Sequence, residues 1–328
     1  MNSPQEHRFR RAIIRASIGV LIATLMCAIF GALFAPYVYE ELSAILSRQQ
    51  LLDPAAPKMG KGRMIDDYFV VQELGNRTFA IGEPRYWQEN YSYLLIGERR
   101  ALLFDAGSGT RNIRKAVETL TALPVTVMVS HLHYDHLGGI EPFDGITLID
   151  LPETRADVHD GRLTPSRYEY SGILEGRSQP SPKVEGWVKP GDDVDLGGRV
   201  LTVMWTPGHT QSSMALFDKE QHRLFIGDFV YPGPLYAFLP GASLSTYAAV
   251  TKRLLKTLPE DTLLYTAHCC RKGELPEAPW LDVHNLKDLD STLAHVADGS
   301  AKSQGFYPRI YPVDDEMTLA AGFPWNNR

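Results

Sequence analysis

The chain has 328 residues, of which 44% are hydrophobic and 22% are charged, and its formal net charge is −6. This length allows one large domain or two modest ones. Residues 1–36 carry four Arg and one Glu, a balance of +3, which leaves −9 for the remainder of the chain. A broad nucleic-acid surface requires the opposite sign, so the charge argues against a tRNA- or DNA-processing nuclease, and we expect no nucleic-acid partner.

The N-terminal segment predicts a membrane anchor. Residues 16–35 form twenty consecutive positions without a charge, ASIGVLIATLMCAIFGALFA, a length that spans a bilayer as a helix. Four arginines precede this run, and Glu40 and Glu41 follow it. The positive-inside rule then places the N-terminus in the cytoplasm and the rest of the chain on the far, periplasmic or extracytoplasmic side. A cleaved signal peptide is the competing interpretation, but the run is long for one, and a cut after Ala35 would face Pro36.

Composition divides the chain into four parts. We predict a basic cytoplasmic tail at residues 1–15, a transmembrane anchor at 16–36, a linker at 37–63 and a folded domain at 64–328. The linker has room for one short helix, but its later proline and glycine residues discourage regular structure. We therefore expect the linker to act as a tether between the anchor and the domain.

The folded domain alternates short apolar runs with turn residues. The first series predicts strands at residues 68–71, 78–81, 91–96 and 101–104 and then a helix at 110–123. The second series predicts strands at 200–205, 213–218, 223–226 and 263–265, with helices at 244–258 and 279–298. Two strand-rich halves, each followed by helix, predict an α/β fold in the form of a four-layer αββα sandwich.

Residues 152–190, between the two series, are polar and rich in turn formers. Their pattern predicts no regular element. Such an insert forms either a loop wall over a site or a solvated excursion, and the sequence leaves both interpretations open.

A histidine-rich motif follows an apolar, β-like run in the first series. The sequence SHLHYDHLGG, at residues 130–139, places three histidines and one aspartate within six positions. Four metal-ligating side chains this close in a loop cannot all bind one tetrahedral ion. The spacing indicates two ions, with His131 and His133 directed one way and Asp135 and His136 the other. Imidazole and carboxylate ligands favour zinc or a similar divalent ion.

Further residues of metal-binding type recur downstream, each at the end of an apolar run. They are His209 in TPGHT, Asp228 in FIGD and His268 in YTAH. Strands that end at one edge deliver side chains to a common rim, so we expect these residues to join the histidine-rich motif. Cys269 and Cys270 offer a soft ligand beside His268, but the His and Asp set makes one unnecessary. Together with Cys27 they form no disulfide framework.

The order His-x-His-x-Asp-His, Gly-His, Gly-Asp and a late His resembles the metallo-β-lactamase superfamily. The likeness runs from residue 69 to residue 268 and includes that family's early Asp-Gly turn, here FDAG at 104–107. It implies two Zn²⁺ or similar divalent ions per chain, with Asp105 supporting the loop from behind the ligands. The ligands it implies are His131, His133 and His209 for one ion, Asp135, His136 and His268 for the other, and Asp228 as the bridge.

The resemblance also implies a reaction. A metal-bridging hydroxide would attack an ester, thioester or lactone carbonyl of a small acyl or lactone substrate. Asp135 would hold this nucleophile and shuttle its proton. Tyr231, three residues after Asp228, matches a tyrosine of lactone-cleaving members whose hydroxyl donates to the developing oxyanion. A β-lactamase-like or phosphodiester hydrolase and a non-catalytic metal-binding module are the alternatives.

A closer likeness is to superfamily members described as acyl-coenzyme A thioesterases. It covers residues 190–204 and a run of similar residues from Gly227 to Tyr247. Within that run the aromatic stretch 231–239 suits an acyl chain, and core packing is its alternative role. We predict that Tyr236, Phe238 and Leu239 line a substrate pocket. A location across the membrane counts against intracellular coenzyme A thioesters and favours exogenous lactones or lipid-like esters.

Overall fold

The computed structural model describes residues 21–22, 24–46, 61–268 and 277–323. The predicted tail at 1–15, part of the predicted anchor and much of the predicted linker lie outside these ranges. Cys269 and Cys270 also lie outside them, so the idea of a cysteine ligand stays a prediction.

The described helices surround a body of strands. They are α1 (Thr24–Leu33), α2 (Ala35–Leu46), α3 (Ile113–Leu120), α4 (Tyr134–Leu137), α5 (Pro152–Ala156), α6 (Arg167–Tyr170), α7 (Leu244–Thr257) and α8 (Val283–Asp298), with a 3-10 turn at Gly172–Glu175.

Capping residues set the ends of several helices. Asn112 caps α3, and its Oδ1 accepts from the Arg114 amide at 3.0 Å. Asp282 and Asn285 form a capping box that begins α8, and Gly299, at φ 78°, ends it as predicted.

The first strand series forms an eight-stranded sheet. Its region contains β1 (Arg63–Met64), β2 (Val70–Glu73), β3 (Thr78–Gly82), β4 (Tyr91–Ile96), β5 (Ala101–Phe104), β6 (Val125–Met128), β7 (Ile146–Ile149), β8 (Val158–His159), β9 (Arg162–Leu163) and β10 (Val184–Val188). The sheet order is β1-β2-β3-β4-β5-β6-β7-β10, antiparallel up to β5 and parallel beyond it. The predicted meander is thus confirmed, and β8 and β9 form a separate hairpin.

The second series forms a six-stranded sheet and a smaller one. Its strands are β11 (Asp193–Asp195), β12 (Val200–Trp205), β13 (Met214–Asp218), β14 (Arg223–Gly227), β15 (Gly233–Ala237), β16 (Leu263–Thr266), β17 (Trp280–Asp282), β18 (Arg309–Pro312) and β19 (Met317–Ala321). The larger sheet has the order β11-β12-β13-β14-β16-β17, and the smaller has the order β15-β19-β18. Five of these strands, β11, β15, β17, β18 and β19, were not predicted. β17 occupies the positions predicted to begin the last helix.

Alternating side chains divide the protein into four layers. Along β4, Tyr93 and Leu95 point to the core between the two large sheets, whereas Leu94 and Ile96 point to the side covered by α3. The second sheet has the same arrangement, with α7 and α8 on its outer face. Because both faces of the central strands are buried, these strands read as continuous apolar runs. The chain therefore has the predicted αββα sandwich.

The insert at residues 152–190 forms part of a pocket wall, which is one of the two interpretations left open by the sequence. It contains α5, the β8–β9 hairpin, α6, the 3-10 turn and β10. At its end, β10 pairs in parallel with β7 and extends the first sheet. Its middle, from α6 through the 3-10 turn, carries Ser171, Leu174 and Glu175 to the wall of a pocket.

The helix α2 departs from the predicted tether, because it packs on the folded domain. The Tyr37 ring meets the Tyr168 ring edge-on at 4.8 Å, and a Glu41 carboxylate oxygen lies 3.0 Å from the Arg167 guanidinium. Between them, Glu40 is buried. Residues 37–41 of the predicted linker are thus packed on the folded domain.

Among the described residues, no single helix has the length and apolar character needed to cross a membrane. Thr24–Leu33 and Ala35–Ser43 reach the required length and composition only as a pair, and that pair is bent by 84°.

Candidate metal centre

The seven predicted ligands converge at one rim, where strands of both large sheets end. The loop after β6 carries His131 and His133, and the first turn of α4 carries Asp135 and His136. The other three follow β12, β14 and β16, as His209, Asp228 and His268. All seven side chains are buried. Because strand ends fix their backbones, the rim is assembled by the sheets rather than by a flexible loop.

Three sets of these side chains are close enough to hold a metal ion. In each set one ligand atom per residue lies within 4.8 Å of the others. The sets are His131, His133 and His209; His131, His136 and Asp228; and Asp135, His136 and His268. The first and third are the trios predicted for the two ions. The second joins Asp228 to members of both, as a bridging residue requires.

Hydrogen bonds behind the rim orient three of the imidazoles. His209 Nδ1 lies 2.7 Å from the Tyr236 carbonyl oxygen, and His268 Nδ1 lies 3.2 Å from the Gln88 carbonyl oxygen. His136 Nδ1 lies 3.1 Å from Asp105 Oδ2. Each Nδ1–H is thereby donated away from the rim, which leaves the Nε2 lone pair to face its centre. This is the arrangement that orients histidine ligands in metal sites.

The two carboxylates at the rim lie between the imidazoles. Asp228 Oδ1 is 3.3 Å from His136 Nε2, and Asp228 Oδ2 is 3.1 Å from His268 Nε2. The Oδ2 atom of Asp135 is 3.4 Å from His268 Nε2 and 3.5 Å from His136 Nε2. Two negative charges therefore lie within one cluster of histidines.

Several buried polar atoms of the rim have no hydrogen-bond partner among the described residues. They are Nε2 of His131, His133 and His136, and Oδ1 of Asp228, and the last two lie 3.3 Å apart without forming a hydrogen bond. Burying such atoms without a partner is costly, and four of them at one place indicate that something else satisfies them. A divalent cation satisfies imidazole nitrogens and a carboxylate oxygen together, so the residues present fit a metal ion.

The electrostatics of the rim agree with a cation site. Burial, and then the neighbouring imidazoles, lower the pKa values of His131 and His133 well below the ordinary range. Burial alone would also lower the pKa of His136, but the Asp228 and Asp135 carboxylates outweigh it and raise that pKa. His131 and His133 are thereby held in the neutral form that binds a metal, and the carboxylates that favour a proton on His136 would equally favour a divalent cation in its place.

Glycines allow two of the rim residues to reach their places. Gly227 has φ +56°, and a Cβ there would lie 2.4 Å from the Ser130 Cβ. Gly208 has φ +148°, and its Cβ would lie 2.8 Å from the Tyr247 ring. Any larger residue would displace the backbone that carries Asp228 or His209. The Gly-Asp and Gly-His pairs in the sequence thus have a steric cause.

Asp105 lies where the resemblance implied, directly behind the rim. Its Oδ1 accepts from the Ser130 amide at 2.6 Å, and its Oδ2 contacts His136. The Asp105 backbone has φ +66°, so the turn is held in a left-handed conformation. The side chain therefore fixes both the start of the histidine loop and the orientation of one imidazole.

Two further supporting residues, Asn90 and Gln88, were missed in the sequence. Asn90 Nδ2 donates to the Asp135 carbonyl at 2.7 Å, and its backbone forms a β-bridge with His268. The carbonyl of Gln88 accepts from His268, and its side-chain oxygen accepts from the Tyr134 hydroxyl at 3.0 Å. The only local signal was a buried asparagine at the start of the apolar strand β4.

The rim opens into a pocket of about 290 Å³. Tyr236 and Leu239 line it, as predicted residues of the substrate pocket. Phe238 does not: its side chain is 1% exposed and packs edge-on against Tyr39 and Tyr307, at 4.9 and 5.8 Å. Phe238 follows the end of β15 at Ala237, and its ring is enclosed by these aromatic neighbours instead of facing the pocket, so the prediction for it is corrected.

Tyr231 lies at the rim, but its hydroxyl is already engaged. The ring lines the pocket and meets the His268 ring edge-on at 5.2 Å. The hydroxyl donates to the carbonyl oxygen of Pro234, at the start of β15. The structure therefore shows this hydroxyl supporting the pocket wall, whereas the sequence predicted a donor to the oxyanion.

Comparison with known proteins identifies the class of protein that this sandwich and rim define. The model of the metallo-β-lactamase superfamily matches residues 85–268, which contain all seven rim residues. The match extends over more than half of the chain, and the chain belongs to this superfamily. A solved metallo-β-lactamase from Pontibacter korlensis shares the fold, with a TM-score of 0.52 and 19% identity over 69% of this chain and 99% of that one.

Two curated relatives are named as hydrolases. The chain is 31% identical to the acyl-coenzyme A thioesterase MBLAC2 of Gallus gallus over 216 residues, 58% of this chain and 76% of that protein. It is 25% identical to the hydroxyacylglutathione hydrolase of Aeromonas hydrophila over 186 residues, 56% of this chain and 62% of that protein. Together with the cluster of metal-binding side chains, these relatives identify the chain as a metal-dependent hydrolase.

Proposed function

We propose that this protein is a dinuclear zinc hydrolase. It would cleave the bond between the carbonyl carbon and the sulfur of an acyl thioester, or the corresponding carbon–oxygen bond of a related ester. The observation that carries the proposal is the group of unpartnered atoms of His131, His133, His136 and Asp228. His133 and Asp228 are at the same time part of a pocket with an aromatic wall. The two relatives, whose names describe thioester hydrolysis in one case and acylglutathione hydrolysis in the other, support the choice of a thioester.

Two trios and one bridging carboxylate would hold the ions. His131, His133 and His209 would bind one, Asp135, His136 and His268 would bind the other, and Asp228 would bridge them. When bound, such ions lower the pKa of water and polarise a carbonyl. Zinc is the metal we propose, because imidazole and carboxylate are among its ligands in catalytic sites, which keep a position open to substrate as this pocket does.

Asp135 is the residue that we propose to move the proton. Its Oδ2 lies among His136, His268 and the pocket, and Asn90 holds its backbone. A carboxylate fixed in this position can accept a proton from the attacking water and pass it to the departing thiolate. Bond formation at the carbonyl carbon and release of the thiol then leave a carboxylic acid and a free thiol as products.

The remaining walls suit the acyl part of the substrate. Tyr231, Tyr236 and Leu239 form one side, with Pro232 and Pro234 between them. These side chains offer apolar contact rather than specific hydrogen bonds, so an acyl chain gains from burial there.

We further propose that the N-terminal segment anchors the protein in a membrane, with the domain on the far side. The apolar side chains of α1 support this, since Leu25, Ile29 and Phe30 are 50–61% exposed. The arginines that precede the segment favour the stated orientation. On that side of the membrane the substrate would be an exogenous or lipid-borne acyl compound rather than an intracellular coenzyme A thioester.

Metal content and substrate preference test the catalytic proposal together. Purified full-length protein should contain two zinc ions per chain, and removal of the metal by a chelator should abolish turnover that added zinc restores. Acyl thioesters should be hydrolysed with higher kcat/KM than matched oxyesters and acyl-homoserine lactones. Stable activity without metal would contradict the site, and a preference for lactones would contradict the substrate.

Topology has a test of its own. A reporter fused after Arg328 should be active only on the far side of the membrane. A mature protein that begins near Pro36 would contradict the anchor, because the apolar segment would then have been removed as a signal peptide.

A further inference from the structure

A helix outside the family region contributes to the pocket. The superfamily model matches residues 85–268, whereas α2 spans Ala35–Leu46. Two side chains of α2, Tyr39 and Ser43, nevertheless line the same pocket as the metal rim. The wall on this side is therefore supplied in part by a segment that lies outside the residues matched by the superfamily model.

The position of Tyr39 is defined by aromatic packing. Its ring meets the Phe238 ring edge-on at 4.9 Å and the Tyr307 ring at 6.1 Å. Tyr236 also packs on Phe238, with ring centroids 5.3 Å apart. Tyr39 and Tyr236 therefore share Phe238 as a common support, and both line the pocket. The part of the pocket lined by these two tyrosines and Leu239 is called its apolar end.

The opposite side of α2 is attached to the insert. The carboxylate of Glu41 pairs with Arg167 at 3.0 Å and accepts from the Tyr168 hydroxyl at 3.1 Å. The Tyr37 ring packs on Tyr168 as well. These contacts hold the helix against α6 and so place Tyr39 over the pocket.

We propose that Tyr39 is a specificity-determining residue that limits the length of the acyl group. This inference rests on the proposed function, since it assumes that the acyl part of the substrate occupies the apolar end of the pocket. A bulky ring closes that end, so an acyl chain gains from burial only up to the length at which it meets Tyr39. The catalytic rim is not involved in this limit.

Replacement of Tyr39 in the full-length protein tests the limit. The readout is kcat/KM for a series of acyl thioesters that share one thiol and differ only in chain length. Each methylene that becomes buried should raise kcat/KM by up to about fourfold, so Tyr39→Ala should move the plateau to longer chains. Tyr39→Trp should move it to shorter chains. The matched control is Leu42→Ala on the same helix, because Leu42 is 54% exposed and does not line the pocket.

Charge exchange tests whether the attachment of α2 positions Tyr39. Glu41→Arg and Arg167→Glu should each shift the chain-length profile in the direction of Tyr39→Ala, by a few-fold at the longest chains, since a surface pair of this kind is weak. The double variant restores the pair with reversed sign and should return the profile to that of the native protein. Thermal unfolding of each variant shows whether the domain itself is intact.

Binding of a fluorescent fatty acid separates this inference from the proposed reaction. If Tyr39→Ala and Tyr39→Trp change its Kd in opposite directions while no thioester is hydrolysed, the wall is correct and the proposed reaction is wrong. If thioesters are hydrolysed but the Tyr39 variants give the same chain-length profile as Leu42→Ala, the wall proposal is wrong and the reaction stands. If the double charge variant does not restore the profile, the Glu41–Arg167 pair does not position Tyr39, and the proposed role of Tyr39 itself is unaffected.

Discussion

The metal rim and the pocket wall are built in different ways. Five of the seven rim residues lie in segments that directly follow strands of the two large sheets, and Asp135 and His136 lie in α4, which follows β6. Backbone carbonyls or Asp105 hold three of the imidazoles. The pocket wall comes from segments outside those sheets: Tyr39 of α2, Leu174 of the insert and Tyr236 of β15. Its parts are held mainly by contacts between side chains, such as the packing of Tyr39 on Phe238.

This difference teaches how reaction and specificity are separated in the molecule. Sheet backbones cannot shift individually without breaking ladder hydrogen bonds, so the rim is constrained by the whole sandwich. Helix α2 and the 3-10 turn contact the rest through a few side chains, and they can change without disturbing the sheets. We therefore expect substitutions at the rim to affect every substrate alike, and substitutions in the wall to affect substrates unequally.

The largest effect is expected for the rim itself. His133→Ala and Asp228→Ala should each lower kcat/KM by at least about 10²–10³-fold, since loss of a metal ion removes at least as much transition-state stabilisation as loss of one oxyanion donor. Metal content measured on the same samples should fall in parallel. His284→Ala is the matched control, because its side chain is 77% exposed on α8 and should leave both values unchanged. Full metal occupancy in both rim variants would show that these residues are not ligands.

A smaller effect is expected for Asp105, which lies directly behind the rim. Asp105→Asn keeps the shape of the side chain and one oxygen that can still accept from the Ser130 amide, but it removes the charge and puts an NH2 group in place of the oxygen that accepts from His136. Loss of such a supporting contact typically costs 10–100-fold in metal affinity or activity. Metal titration should show the weakened binding, and Asp261→Asn on the surface provides the control. An unchanged affinity would mean that the sheets alone orient the imidazole.

The stability of the folded protein should depend on pH through Glu40, a buried residue of α2. Burial raises the pKa of this carboxyl to about 7, more than the nearby Ser171 hydroxyl and Arg167 guanidinium lower it, and Glu41 raises it slightly further. The folded protein therefore keeps the proton between about pH 4.5 and pH 7 while the unfolded chain loses it. Stability should fall across that window as pH rises, by at most about 3 kcal/mol.

Thermal unfolding of Glu40→Gln checks this expectation. The neutral amide should make the protein more stable than the native form above about pH 7 and nearly equal to it at about pH 5. Glu41→Gln, whose carboxylate is partly exposed, serves as the comparison. If the native protein and Glu40→Gln show the same pH dependence of Tm, the buried carboxyl does not govern the stability of this part of the wall.

The smallest effect is expected for Tyr231. Its size tells whether the hydroxyl supports the pocket wall or takes part in the reaction at the rim. Because its hydroxyl donates to Pro234, Tyr231→Phe should lower kcat by less than about tenfold, as expected for the loss of one ordinary hydrogen bond. Loss of an oxyanion donor would instead cost about 10²–10³ in kcat. Steady-state kinetics on one thioester and one lactone decide between the two. A uniform loss of the larger size would return Tyr231 to the role that the sequence predicted.

The sequence predicted the sandwich and the composition of the rim because both follow local patterns. Apolar runs of strand length placed β4, β5 and β12 at their observed positions. The Gly-Asp pair at Gly227 stands at the end of such a run for a steric reason, namely the 2.4 Å approach to Ser130. That a residue lies at the end of a strand can be predicted from the sequence without knowing which strand pairs with it. The roles of these residues as metal ligands stay a prediction.

The supporting contacts were not readable in the same way. Asn90 acts on Asp135 across 45 positions, and Gln88 acts on His268 across 180. The strand β15 forms by parallel pairing with β19, which lies far along the chain, so its own residues read only as an aromatic stretch. These partners are neighbours in space because the fold brings them together, and no local periodicity encodes them.

By itself, the sequence determined the family, the layered fold and the set of metal-binding side chains that reach one rim. Only the tertiary structure decided which residues enclose the pocket. It placed Phe238 behind the wall instead of in it, engaged the Tyr231 hydroxyl with Pro234, and brought Tyr39 from a predicted tether to the pocket. The physical reason is that backbone hydrogen bonding repeats with a short period along the chain, whereas the packing of side chains on one another depends on segments that meet only after folding.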